Sequence, residues 1–270
     1  MRIWHQSFTV LGNLPAYAQA LAAHFKKVAR PGTEVVMHGM HDDTYKTNYP
    51  GTDIQYSYFQ HLHTSQFVLG ALAAEENGFD AYAIMTLPEP GLRDIRSLID
   101  IPVVGYGESS ILTASMLGDR MGVLLFIKEM APVIDSNVQR MGLSGRFAGA
   151  HFVGFGFDDV LKAFDNPNAL LERFHTAARQ LIATGAEVII PGEAPLCVLL
   201  ARNGISRVDN VPVVDAIGAT IKMAEMMADL RESCGLSPAR SGYFTQQPPR
   251  ARVRALLDFY GISRLAPHAT

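Results

Sequence analysis

NGFDAYAIMTLPEPGL at residues 77–92 and TGAEVIIPGEAPL at residues 184–196 are two versions of one segment. In each, a glycine and an acidic residue precede a short apolar run, and a turn containing proline and glycine follows it. A second pair comes next in the same order, IPVVGYGESSIL at 101–112 and VPVVDAIGATIK at 211–222. The sequence therefore predicts a unit of strands, turns and helices that occurs twice. The aligned positions are Gly78 with Gly185, Asp80 with Glu187, and Thr86 with Glu193.

The chain as a whole has the pattern of an α/β protein. Short apolar runs rich in β-branched residues alternate with longer stretches of helical period, as in parallel sheets covered by helices on both faces. The predicted strands are 2–5, 34–38, 80–85, 103–105, 122–126, 151–153, 187–191 and 212–214. The predicted helices are 14–27, 58–77, 109–117, 131–141, 168–184, 195–203 and 219–231.

The repeat predicts two pseudo-symmetric Rossmann-like lobes with parallel sheets and an active site in the cleft between them. Residues 1–105 and about 216–230 form the predicted first lobe, and 106–215 the second. Residues 231–270 form a C-terminal extension whose short helix, at 253–260, docks on its own lobe or on a second subunit. Because ligands of open α/β sheets bind beyond the carboxyl ends of the strands, Thr86 and Glu193 are expected to face one cleft.

The composition is that of a globular chain without a strong charge. Of its 270 residues, 48% are hydrophobic and 18% charged, which excludes the disordered, collagen-like and coiled-coil classes. The net charge of -3 shows no excess of positive charge for binding nucleic acid or an anionic membrane, and it favours a small-molecule partner. Two cysteines make no disulfide framework, and no apolar run reaches a membrane span of about 20 residues. Since the start of the chain lacks a signal-peptide pattern, the protein is expected in the cytoplasm.

Five segments resemble those of the aspartate/glutamate racemase superfamily, most of all its hydantoin racemase branch. They are EENGFDAYAIMTLPEPGL, DIPVVGYGESS, DRMGVLLF, TGAEVIIPGEAP and NVPVVDAIGATIKMAE, which cover most of residues 75–227. The resemblance implies two α/β lobes, no cofactor, and a cysteine from each lobe on opposite faces of the substrate α-carbon. The motifs align those cysteines with Thr86 and Glu193, so both thiols are replaced here. A homo-oligomer is also expected.

Thr86 and Glu193 differ in what they can do chemically. A two-base racemase needs two groups that each gain and lose a proton near neutral pH. The Thr86 hydroxyl is too weak an acid for this and is interpreted as a hydrogen-bond donor to a substrate oxygen. Glu193, in a Pro-Gly-Glu-Ala-Pro turn between the lobes, can have its pKa raised and act as a general acid or base. A single base opposite a neutral donor suits proton transfer on one face of the substrate better than racemisation, which needs a base on each face.

Three functions are compatible with this pair. The favoured one is proton transfer next to a carbonyl of a small hydantoin-like or carboxylic substrate, with an isomerase or decarboxylase outcome. The second is hydrolysis of a cyclic amide or related C–N bond, in which Glu193 activates water. The third is noncatalytic binding of a small anion. None of them implies a cofactor or a metal.

Further candidate substrate contacts lie at the ends of predicted strands. The helix start after the strand at 103–105 offers N–H groups and hydroxyls to a carboxylate or carbonyl. The first strand ends in polar side chains where the resembling family tends to have an Asn-Pro-Asn-Thr type turn. These contacts, with the proline that opens the helix after Glu193, are His5, Gln6, Ser7, Gly107, Glu108, Ser109, Ser110 and Pro195.

Two other features bear on the cleft. Cys197 lies about one helical turn beyond Glu193 and is a secondary candidate for a catalytic thiol at a displaced position, although a buried structural role is favoured.

A loop containing proline and glycine is bracketed by tyrosines and is a candidate to close over the cleft. Those tyrosines are Tyr45, Tyr49, Tyr56 and Tyr58.

Overall fold

Two parallel β-sheets with helices packed on them form the protein, as described by a computed structural model over residues 1–265. The predicted α/β class is confirmed. Residues 266–270, the end of the predicted C-terminal extension, lie outside the described residues. Within 1–265, no helix has both the length and the apolar character needed to cross a membrane.

The first sheet has four parallel strands in the order β2-β1-β3-β4. Its central strands β1 and β3 are buried along almost their whole length, as expected for strands covered on both faces. The strands are β1 (Arg2–Gln6), β2 (Glu34–His38), β3 (Ala81–Ile84) and β4 (Val103–Gly105).

The second sheet repeats this arrangement with three parallel strands in the order β6-β5-β7. They are β5 (Met121–Leu125), β6 (Phe147–Phe152) and β7 (Val188–Pro191). At the position equivalent to β4, Val213 makes a single parallel bridge to Ile189. The two remaining strands form a small antiparallel pair, β8 (Arg207–Val208) and β9 (Val211–Pro212).

Helices follow most strands and lie on both faces of the sheets. Helix α10 packs on β3, β4 and α5, and α1 packs on α9 and α10. The helices are α1 (Pro15–Val28), α2 (Gly51–Ile54), α3 (Ser57–Glu76), α4 (Leu92–Leu98), α5 (Tyr106–Ser115), α6 (Ala131–Arg140), α7 (Phe157–Ala163), α8 (Asn168–Ala183), α9 (Ala194–Arg202), α10 (Ala216–Cys234) and α11 (Arg250–Phe259).

Equivalent carboxylates anchor β3 and β7 to their neighbours. Asp80 Oδ2 accepts the N–H of Arg2 at 2.6 Å, at the start of β1. Glu187 Oε2 accepts the N–H of Asp119 at 2.7 Å, just before β5. Each acidic residue thus fixes where its strand begins beside the adjacent strand. The internal repeat corresponds to two sheets with the same connectivity and the same anchor.

The largest differences between the structure and the predicted elements are of three kinds. Strand β6 begins at Phe147, four residues earlier than predicted. The predicted strand at 212–214 is reduced to β9 and one bridge, because Pro212 pairs antiparallel with Arg207 instead of entering the second sheet. Helices α2, α4 and α7 were not predicted, since each is too short to show a helical period.

Lobe boundaries at 105/106 and 215/216 stay a prediction. The strands of the first sheet come from 2–105 and those of the second from 121–191, while α10 returns to β3 and β4. Helix α11, within the described part of the predicted C-terminal extension, packs on its own chain. Arg250 and Arg254 of α11 form ion pairs with Glu75 and Glu76 at the end of α3.

Asp215 begins α10 and ties it to α1. Its Oδ1 accepts the N–H of Gly218 at 2.9 Å, which satisfies a free donor of the first helical turn. His24 of α1 approaches the same carboxylate with its Nε2 2.9 Å from Oδ2. One side chain therefore caps the helix and joins two helices.

Asp215→Ala is expected to lower the free energy of unfolding by about 1–2 kcal/mol because α10 loses its cap. Asp215→Asn should lose less, since asparagine caps helices as well as aspartate does. Urea unfolding curves of the two variants and the wild type measure the difference. Equal losses in both variants would assign the effect to the contact with His24 instead of the cap.

Candidate active site

Gly192 brings the chain close to the second sheet at the end of β7. Its N–H donates to Leu124 O at 2.7 Å, and a Cβ at this position would lie 2.9 Å from Leu125 Cβ. Only glycine allows this approach without a shift of β5. Glu193 consequently lies beside the end of β5, where that strand leaves two backbone N–H groups unpaired within its sheet.

The Glu193 carboxylate is held by those two N–H groups. Phe126 N donates to Oε1 at 3.0 Å and to Oε2 at 3.1 Å, and Ile127 N donates to Oε1 at 3.0 Å. Burial raises the pKa of Glu193 to about 8, and the hydrogen bonds from Ile127 and Phe126 oppose that rise. A carboxyl group with such a pKa exchanges a proton in the range where general acids and bases work.

Thr86 occupies the matching position after β3. Met85 N donates to Gln6 O at 2.8 Å, which continues the pairing of β3 with β1 by one residue. Thr86 O then accepts the N–H of Glu89 at 3.1 Å and starts a tight turn. The turn is held by residues with positive φ, Glu89 at 50° and Gly91 at 68°. This geometry directs the chain away from the sheet directly after Thr86.

Thr86 and Glu193 line the same cavity, as the repeat predicts. The cavity lies at the carboxyl ends of both sheets, and most of its wall is apolar or aromatic. Its polar side chains are two serine or threonine residues of the loop after β1, the Thr86 and Glu193 pair, and two tyrosines. The lining residues are Ser7, Phe8, Thr9, Tyr17, Tyr49, Pro50, Gly51, Ile54, Met85, Thr86, Phe126, Ile127, Phe157, Glu193, Ala194 and Pro195.

Tyr17 and Tyr49 line the cavity, and they differ in how well the sequence signals them. Tyr49 belongs to the loop predicted to close over the cleft, and its ring stacks on Phe157 of α7 at 4.9 Å. Burial, followed by the charge of Glu193, raises the pKa of Tyr49. Tyr17 lies on α1 among apolar residues, where a single tyrosine is not distinguishable from an ordinary core residue. No sequence signal points to it.

Ser7 is held in the loop after β1. Its Oγ lies 2.8 Å from Thr9 Oγ1 and accepts the N–H of Thr9 at 3.1 Å. Of the predicted substrate contacts, Ser7 and Pro195 line the cavity together with Thr86 and Glu193.

His5 and Gln6 do not line the cavity, contrary to expectation. The His5 ring is fully buried and meets Phe25 edge-on, and burial lowers its pKa to about 3. Gln6 Oε1 accepts the indole N–H of Trp4 at 3.0 Å, and Gln6 Nε2 donates to Gly39 O at 3.0 Å. Because β1 is covered on both faces, its last side chains pack inside the lobe before the chain reaches the cavity.

The start of α5 is also placed differently from the prediction, since Gly107, Glu108, Ser109 and Ser110 do not line the cavity. Glu89 Oε1 accepts the N–H of Glu108 at 2.6 Å, so a carboxylate of the protein itself occupies this helix start. The Glu108 side chain pairs with Arg96. Ser110 Oγ donates to Tyr106 O within the helix at 2.7 Å, and Ser109 is buried.

Cys197 has the structural position that the sequence favours. Its side chain is 1% exposed and does not line the cavity with Glu193. Burial, followed by the charge of Asp215, raises the pKa of the thiol to about 12. Such a thiol carries almost no thiolate near neutral pH and is a poor nucleophile or base. Within residues 1–265, no three His, Cys, Asp or Glu side chains lie together as metal ligands.

Comparison with known proteins gives a consistent family. The sequence model of the family described as Asp/Glu/hydantoin racemase matches residues 15–224. A hydantoin racemase of Pseudomonas sp. (strain NS671) is 31% identical over 157 residues, 58% of this chain and 61% of that protein. A hydantoin racemase of Paenarthrobacter aurescens is 30% identical over 159 residues, 58% of this chain and 65% of that protein. The chain therefore spans less than two thirds of the length of either relative.

The fold is shared with a solved structure over nearly the whole chain. Allantoin racemase from Klebsiella pneumoniae superposes with a TM-score of 0.74 and 22% sequence identity, covering 93% of this chain and 94% of that chain. At this level of identity the likeness shows the fold.

Iodoacetamide is expected to modify the exposed Cys234 of the native protein and to leave Cys197 unmodified, because alkylation requires an accessible thiolate. Mass spectrometry of the digested protein measures both sites, with denatured protein as the control in which both react. Modification of Cys197 in the native protein would contradict the buried, protonated thiol.

Proposed function

The chain belongs to the Asp/Glu/hydantoin racemase family, and from this we propose that it is a cofactor-independent enzyme of proton transfer. It moves a proton at the carbon next to a carbonyl in a small, neutral, hydantoin-like ring. The observation that carries the proposal is the Glu193 carboxyl group, which lies half-buried on the cavity with its pKa raised to about 8. The named relatives act on hydantoin and allantoin, which are ring compounds of this class.

The charge of the cavity favours a neutral ring over a carboxylate substrate. Among its lining residues in the described chain, none is lysine, arginine or histidine, and the one ionisable carboxyl group is Glu193. A second carboxylate brought beside it would be repelled and desolvated without a counter-charge. The aromatic wall, by contrast, suits a flat ring. Among the favoured outcomes, isomerisation therefore fits this cavity better than decarboxylation.

Glu193 acts as the base in the proposed reaction. Its carboxylate removes the proton from the ring carbon, and the electron pair moves onto the neighbouring carbonyl oxygen to form an enolate. Thr86, across the cavity, supplies a hydroxyl group to a ring oxygen or nitrogen. The protonated Glu193 then gives a proton to the enolate, either to the same ring carbon after exchange with solvent or to another ring atom to form the isomer. Oxyanion stabilisation by fixed donors makes such a short-lived enolate accessible.

One-sided proton transfer fits the cavity better than a two-base racemisation. Besides Glu193, the titratable side chains on the cavity are Tyr17 and Tyr49, and burial raises the pKa of both further above the neutral range. Neither tyrosine is therefore a base near neutral pH.

We propose that the protein acts as a homo-oligomer in the cytoplasm. The side chains of Tyr58, Phe59 and Leu62 are exposed on α3 and support the proposal as a contact surface between subunits.

The reaction class is tested by incubating the protein with hydantoins, dihydropyrimidines and 2-substituted malonates in D2O and in H2(18)O. Deuterium on the ring carbon of a hydantoin, detected by NMR, is the expected result. Incorporation of 18O into product, detected by mass spectrometry, would replace the proposal by hydrolysis. Binding with neither label would leave a noncatalytic binder of small molecules.

Glu193→Gln is expected to lower the rate of deuterium exchange by roughly 10²- to 10⁴-fold, the range of general acid–base catalysis. Glutamine keeps the size and an acceptor oxygen for the N–H groups of Phe126 and Ile127, so ligand binding should persist. Thr86→Val should lose roughly 10- to 100-fold through one missing hydrogen bond. Glu172→Gln, on the exposed face of α8, is the matched control and should keep the wild-type rate. A Glu193→Gln rate within a few-fold of wild type would rule out the one-carboxylate mechanism.

The exchange rate is expected to rise with pH up to about 8 and then level off, because only ionised Glu193 accepts the proton. Below that pH the rate should change about tenfold per pH unit, as one ionisation requires. Rates measured across the pH range in which the fold is intact give the profile. Glu193→Gln should flatten it, and a wild-type rate that falls as pH rises toward 8 would mean that the protonated form is the active one.

A further inference from the structure

The Tyr17 hydroxyl is the unusual polar group of the cavity. The Tyr17 side chain is 1% exposed, and its hydroxyl oxygen has no hydrogen-bond partner among the described residues. Buried hydroxyl groups are nearly always hydrogen-bonded, because an unpaired one has lost its water without replacement. Two other buried tyrosines follow this rule. Tyr82 donates to Phe67 O at 2.9 Å, and Tyr106 donates to Pro191 O at 2.7 Å.

Tyr17 reaches the cavity from a different element than the other polar groups. It lies in the first turns of α1, and its ring is packed edge-on against Phe164 at 6.2 Å between centroids. Glu193 and Thr86 approach from the ends of β7 and β3, and all three residues line one cavity. A ring substrate that contacts the carboxylate therefore occupies a cavity of which Tyr17 forms part of the wall.

The Tyr17 hydroxyl stays protonated over the working range. Burial raises its pKa above the ordinary value for tyrosine. A phenol in this state donates a hydrogen bond and does not act as a base. Its free donor matches what proton abstraction at carbon needs, a fixed neutral group aimed at the oxygen that becomes negative.

We propose that Tyr17 donates a hydrogen bond to the ring carbonyl oxygen that becomes the enolate oxygen when Glu193 removes the neighbouring proton. This inference rests on the proposed function and assigns the oxyanion donor of the same site. The proton remains on Tyr17 throughout. The C–H electron pair becomes the C=C bond of the enolate, the carbonyl π electrons move to oxygen, and the proton from carbon resides on Glu193 until it is returned.

Tyr17→Phe separates this role from a packing role, because phenylalanine keeps the ring and removes only the hydroxyl. The expected result is a fall of about 10²- to 10³-fold in kcat for deuterium exchange, the cost of one oxyanion donor, with KM changed by less than about threefold. The melting temperature without ligand should be equal to or above that of wild type, since an unpaired buried hydroxyl is removed.

Tyr82→Phe is the matched control, since its buried hydroxyl is paired with Phe67 O and does not line the cavity. It should show the opposite pattern, a lower melting temperature with the wild-type kcat. The panel of hydantoins serves as probe for both variants, in exchange and in ligand-induced shifts of melting temperature.

The outcomes distinguish this inference from the proposed function. If the wild type exchanges a hydantoin proton and Tyr17→Phe keeps kcat within threefold, or melts lower as Tyr82→Phe does, the Tyr17 role is overturned while the proposed function stands. If the wild type binds hydantoins without exchange, the proposed function fails, and the role of Tyr17 as donor to the enolate oxygen fails with it. A wild type that neither binds nor exchanges any of them overturns both.

Discussion

The hydrogen bonds from Phe126 and Ile127 to Glu193 determine what the cavity can be. They hold a carboxyl group in a cavity wall that is otherwise mostly apolar. These hydrogen bonds depend on the close approach of Gly192 to β5. Burial and hydrogen bonding act on the pKa of Glu193 in opposite directions. Burial has the larger effect, so the group can be protonated or ionised near neutral pH without leaving its place.

The two sheets place this carboxyl group because they are built alike. In parallel sheets the carboxyl ends of the strands meet at one edge, so equivalent positions of two facing units share a cavity. Asp80 and Glu187 fix the register of β3 and β7 against their neighbours. A slip of one residue in either strand would exchange the faces to which its side chains point and would remove Thr86 or Glu193 from the cavity.

Hydrophobic periodicity was sufficient to predict the α/β class, and the alignment of the repeat was sufficient to predict that Thr86 and Glu193 share a cavity. The residues that complete the cavity were not predictable in the same way. Ile54 and Phe157 come from α2 and α7, which are too short for a helical period, and Tyr17 resembles a core residue of α1. His5 was expected at the cavity because it ends a strand, but burial of both faces of β1 keeps it inside the lobe.

The contact of Glu89 with the start of α5 links positions that are distant in sequence. The Glu89 carboxyl group fills the space left by Gly105, where a Cβ would lie 1.9 Å from its Oε1, and at Gly107 a Cβ would lie 3.2 Å from its Cδ. The Glu89 side chain of the turn after Thr86 therefore packs into the space that the glycines leave at the start of α5. Relatives that keep the glutamate must keep the glycine, and a relative with a larger residue at position 105 needs a shorter side chain at position 89. The freed helix start of such a relative would be open to an anion from solution, so this pair of positions decides whether the protein supplies its own ligand there.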